Sequence, residues 1–155
     1  MTTIKMRPHH FIDILVSIGE GQRKFEPVPA YGGSDLNLIT HKIWNDRNII
    51  FDFLIGADDI CHPCRHNIDG VCNDTFQKNN RTFSKHRYNE ELDIRWLNQL
   101  GFKEGMEMKA RDFCKLVREK AGDMTSIYQH DTKEEVEIKK ENLLKGIAVY
   151  LEEAE

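Results

Sequence analysis

The chain lacks any long apolar run. Its 155 residues are 39% hydrophobic, yet no stretch approaches the roughly 20 apolar residues that a membrane-spanning helix needs. Residues 1–6 also lack the charged-then-apolar layout of a secretory signal. We therefore expect a cytoplasmic protein with one core of ordinary size, in a single domain that covers residues 1–155.

A strong net charge is also missing. The formal charge is -4 at pH 7, so the field of the whole chain does not attract nucleic acid. One local exception, residues 76–88, contains no acidic residue. It combines cations and rings: Lys78, Arg81, Lys85, Arg87, Phe76, Phe83 and Tyr88. This mixture suits single-stranded nucleic acid, but a solvated connector whose rings pack on the core is the more ordinary interpretation.

Three motifs of common enzymes are absent. The sequence has no Gly-rich phosphate loop, no Ser-His-Asp layout and no His-Glu-x-x-His. Nucleotide hydrolysis, triad hydrolysis and zincin proteolysis therefore have no motif support. Whether the protein is an enzyme stays open at this point.

Proline and glycine concentrate in residues 19–33, which predicts a long loop there. Before the loop, a helix begins at Pro8, has an apolar stripe with helical spacing, and ends at Gly19. After the loop, Ser34 is placed to cap a second helix that stops near Asn48. The β-branched and aromatic run 49–55 predicts one strand, which leads into the cysteines.

Three further segments also have helical spacing. We expect one helix to begin at a cap on Asn89 and to end at Gly101. The next covers residues 109–121, and the last opens with a capping box of Asp131 and Glu134 and reaches the C-terminus. The fold class is therefore mainly α (α+β): about five helices with one short β element leading into a cysteine knuckle.

Cysteine is scarce too, but three of the four fall in one short stretch. Cys61 and Cys64 have the spacing Cys-x2-Cys, and Cys72 follows after seven residues. In a reducing compartment such a pair holds metal or performs redox chemistry more often than it forms a disulfide. Since Pro63 fixes a turn and residues 69–70 favour a reversal, the three thiolates are predicted to converge on one metal.

Tetrahedral zinc and a four-cysteine iron-sulfur cluster both require a fourth ligand. Cys114, on a predicted helix, is the remaining cysteine, and it is equally typical of a small buried side chain. His62 and His66 lie within the knuckle and are placed either to bind zinc or to hydrogen-bond to the sulfurs. Asp13 is a further alternative, so the fourth ligand stays open.

A second group of polar residues opens the first helix. His9 and His10 stand at i, i+4 and i, i+3 from Asp13, so both rings can reach one carboxylate. That carboxylate can fix a histidine tautomer or share a metal. Arg7, just before, is a candidate for binding an anionic group. The alternative is that these histidines are merely solvated at a helix terminus.

These motifs together resemble a family of small uncharacterised proteins that are predicted to bind an iron-sulfur cluster and are grouped as a domain of unknown function. The family opens with Arg-x-His-His-Leu-Leu-Cys, which residues 7–13 resemble. Its Asp-x-Ile/Val-Cys-x-x-Cys and Gly-x-Cys motifs are similar to residues 58–64 and 70–72. Its Leu-Gly-Leu-x-x-Gly turn is similar to residues 100–105. The resemblance covers roughly residues 4–120.

The resemblance implies an iron-sulfur cluster, and zinc is the alternative cofactor. If the centre is a cluster, we expect a redox or electron-transfer role with a redox partner protein. The resemblance implies no catalytic activity. Asp13 stands where the family has a cysteine, and the C-terminal Cys-x-x-Cys of many members is absent. Two alternatives remain: a zinc-stabilised module that binds nucleic acid or protein, and a metal-assisted enzyme that uses His9, His10 and Asp13.

Overall fold

In the computed structural model, residues 3–22, 36–55, 67–68, 71–72, 75–78 and 80–152 are described. They form an α+β arrangement with five helices and seven short strands. The helices are α1 (Pro8–Gly19), α2 (Leu36–Asn45), α3 (Lys85–Leu100), α4 (Ala110–Lys120) and α5 (Lys133–Tyr150). The strands are β1 (Thr3–Met6), β2 (Ile50–Phe53), β3 (Asn67–Ile68), β4 (Val71–Cys72), β5 (Thr75–Lys78), β6 (Arg81–Ser84) and β7 (Glu107–Lys109).

The strands make one three-stranded sheet and two hairpins. In the sheet, β2 lies between β1, to which it is parallel, and β7, to which it is antiparallel. The hairpins pair β3 with β4 and β5 with β6. Because β1 runs directly into α1, the sheet fixes where the first helix begins, and this junction positions the polar residues considered below.

The core forms where α1 and α5 pack along each other and against the sheet. Phe11 of α1 contacts Phe51 of β2 edge-on, with ring centroids 4.7 Å apart. The ring centroid of Phe53, on the same strand, lies 4.6 Å from that of Phe113 in α4. Tyr150, at the end of α5, belongs to the same aromatic group, and its ring centroid lies 5.8 Å from that of Phe11. Side chains of this size are a major source of the hydrophobic stabilisation of a core.

Several predicted elements are confirmed. Helix α1 begins at Pro8 and ends at Gly19, and α4 departs by only one residue from each predicted end. Strand β2 and helix α2 are present but shorter than predicted. Gly101 ends α3 with a φ of 74°, the left-handed conformation that glycine adopts without strain. The predicted cap at Ser34 and most of the long loop lie outside the described residues.

Three details differ from prediction. Helix α3 begins at Lys85 and is capped by the Ser84 side chain, so the predicted cap at Asn89 is wrong. The capping box of α5 uses Thr132 and Glu135, one residue later than predicted. The single predicted strand is one of seven in the described ranges, because strands of two to four residues have too few positions to show an alternating pattern.

None of the helices in the part of the chain described here is long and apolar enough to cross a membrane.

Candidate functional site

Two buried polar residues lie where β1 joins α1. Arg7 occupies the N-cap position of α1 and is 2% exposed, and His9, in the first turn, is 4% exposed. Arginine is almost never buried to this extent unless it is paired.

The partner of both residues is Asp93, which lies on α3 and is fully buried. Arg7 Nε donates a hydrogen bond to Asp93 Oδ2 at 2.7 Å. The His9 backbone N–H donates to Asp93 Oδ1 at 2.9 Å, and His9 Nδ1 lies 2.7 Å from the same oxygen. The carboxylate therefore also satisfies a first-turn N–H of α1, which has no acceptor within its own helix.

The charges around Asp93 keep it ionised. Burial by itself would raise the pKa of this carboxyl, but His9 and Arg7 outweigh burial and hold the pKa below its ordinary value of 3.8. An ionised carboxylate only accepts hydrogen bonds, so Nδ1 of His9 must carry the hydrogen of their contact. Whenever the His9 ring is neutral, its one ring hydrogen is therefore on Nδ1 and its lone pair is on Nε2.

The sequence pattern favoured Asp13 as the carboxylate for His9, whereas the structure pairs the His9 ring with Asp93, 84 residues away. Asp13 is exposed. His10 is half-buried, and its ring centroid lies 4.4 Å from that of His9. Arg7, predicted to bind an anion, binds a carboxylate of the chain itself.

Asp93 was missed, although the sequence contains a signal for it. It stands three, four and seven residues before Trp96, Leu97 and Leu100, so it belongs to the buried stripe of α3. An acid on an apolar stripe requires a buried partner, because burying an unpaired charge is very unfavourable. The pattern therefore indicates that Asp93 has a buried partner, but it does not identify Arg7 or His9 as that partner.

Most of the predicted cysteine site lies in a part of the chain that the structure does not describe. Cys61 and Cys64, with His62 and His66, lie outside the described residues. Cys72 is described only through its backbone, which ends β4 and pairs with Asn67 of β3. Strand β4 lies against α3, the helix that carries Asp93.

Cys114, the predicted fourth ligand, is fully buried in the hydrophobic core. Burial raises the pKa of its thiol far above the ordinary value of 9.0, which disfavours the thiolate that metal binding requires. This environment favours the alternative interpretation of Cys114 as a small core side chain. Within the described ranges, no three His, Cys, Asp or Glu side chains are grouped so as to hold a metal ion.

The basic segment 76–88 forms a hairpin and the first turn of α3. Lys78 makes ion pairs with Asp131 and with Glu135, the latter at 3.1 Å. Phe76 stacks on Phe83 with ring centroids 5.3 Å apart. Some of the predicted contacts for nucleic acid are therefore used within the protein. Lys85 is half-buried and Arg87 is exposed. The guanidinium carbon of Arg81 lies over the Phe83 ring, 5.4 Å from its centroid.

No protein-family model, curated protein or solved structure matches this chain. The resemblance to the predicted iron-sulfur family therefore stays a prediction.

Proposed function

We propose that the protein binds a metal centre, an iron-sulfur cluster or a zinc ion, through the thiolates of Cys61, Cys64 and Cys72. The spacing of these residues supports the proposal, because a Cys-x2-Cys turn with a third nearby cysteine is a common ligand pattern for both centres. The proposed role is electron transfer or redox sensing for a cluster, and stabilisation of the fold for zinc.

The pairing of β3 with β4 is the observation that carries the proposal. Cys72 pairs with Asn67, and three peptide units connect Asn67 to Cys64. A chain of that length spans at most about 11 Å when fully extended. This limit on the length of chain supports the proposal, because the ligands of a shared metal centre must lie close together.

Metal analysis of protein purified without oxygen tests the proposal. Iron and sulfide with broad visible absorption are expected for a cluster, and colourless protein with one equivalent of zinc for the alternative. Cys61→Ser, Cys64→Ser and Cys72→Ser should each lose the metal. Cys114→Ala is the matched control and should retain it. Wild-type protein that contains neither metal after anaerobic purification or reconstitution would contradict the proposal.

A cluster and a zinc ion also differ in their response to reduction. A cluster loses visible absorption when dithionite is added and regains it on controlled reoxidation. Zinc has no redox chemistry in proteins, so zinc-loaded protein should show no such change. This experiment separates the electron-transfer role from the structural role.

A further inference from the structure

We draw no further inference here: the strongest candidate, the buried cluster of Arg7, His9 and Asp93 where the start of α1 meets α3, belongs to the site already described, and no contact of the described residues shows what it would bind or act on.

Discussion

Gly146 of α5 lies directly against the backbone of Leu15 in α1. A Cβ atom added to Gly146 would stand 1.7 Å from the Leu15 carbonyl oxygen. Gly19 makes the reciprocal approach, since a Cβ there would stand 1.8 Å from the carbonyl oxygen of Asn142. The two glycines let the backbones of α1 and α5 touch, and this contact holds the helix that carries His9.

We predict that Gly146→Ala destabilises the protein although alanine is the better helix former. Alanine gains about 1 kcal/mol in helix propensity, but its Cβ meets backbone that can only move if the two helices separate. Overpacking typically costs about 1–3 kcal/mol, occasionally more, so a net loss is expected. Urea unfolding measures it. The control is Lys145→Ala, at an exposed neighbouring position, and an unchanged or increased stability of Gly146→Ala would contradict the prediction.

Local patterns in the sequence were enough to predict the helices. The apolar spacing of α1, α4 and α5 is fixed by residues a few positions apart, and Gly101 marks the end of α3 through its own conformational preference. The parallel pairing of β1 with β2 was not predictable in this way. It joins residues more than forty positions apart, and neither four-residue strand carries a clear pattern of its own.

The candidate site shows the same limit. The sequence drew attention to His9 and Arg7, since charged and titratable residues at a helix start are visible locally. Their partner Asp93 is on another helix, 84 residues from His9, and only the fold makes it a neighbour. Asp13 was favoured because it is the nearest carboxylate along the same helix.

The capping box of α5 should contribute measurable stability. The Thr132 hydroxyl accepts from the Glu135 N–H at 3.1 Å, and the Glu135 carboxylate accepts from the Thr132 N–H at 3.3 Å. Thr132→Ala should lower the free energy of unfolding by about 1 kcal/mol. Thr132→Ser keeps the hydroxyl, and because serine is at least as good an N-cap residue as threonine, the free energy of unfolding should be nearly unchanged. Equal losses in the two variants would show that the hydroxyl is not the source of the effect.

Lys78 should contribute to the stability of the folded protein through its ion pairs. It connects the β5–β6 hairpin to Asp131, whose side chain is only 5% exposed, and to Glu135. Lys78→Met should lower the free energy of unfolding by about 1 kcal/mol or less, and the loss should shrink at high salt because the pairs are near the surface. Arg87→Met, at an exposed position of α3, is the control. A loss that is independent of salt would contradict an electrostatic role.

The Cys114 thiol should be inert in the native protein. Burial raises its pKa, and the thiolate is the form that reacts with alkylating reagents. Brief treatment with iodoacetamide at neutral pH, followed by peptide mass spectrometry, should find Cys114 unmodified. The same treatment in denaturant should modify it fully and serves as the control. If Cys114 is labelled as fast in the native protein as in denaturant, the core around α4 opens readily.

Asp93 should make the stability of the protein sensitive to acid. Its pKa in the folded protein lies below the ordinary value of 3.8, so the unfolded chain binds its proton first as the pH falls. The stability that Asp93 contributes is therefore complete above about pH 5 and declines as the pH falls through 3.8 toward the folded pKa. At neutral pH, Asp93→Asn should lower the free energy of unfolding by roughly 3–5 kcal/mol, as expected when one partner of a buried ion pair is removed.

The free energies of unfolding of wild type and Asp93→Asn should accordingly become more similar below about pH 4, because acid neutralises the same carboxylate that the substitution removes. Urea unfolding at a series of pH values, with a chelator present so that metal binding adds no pH dependence, measures the narrowing. Asp123→Asn is a control of equal charge. That carboxyl is exposed, and hydrogen bonds from Thr125 lower its pKa. The difference in free energy of unfolding between wild type and Asp123→Asn should therefore also narrow in acid, but it should be much smaller at neutral pH. A difference for Asp93→Asn that stays constant or widens in acid would mean that the carboxylate is not held ionised by Arg7 and His9.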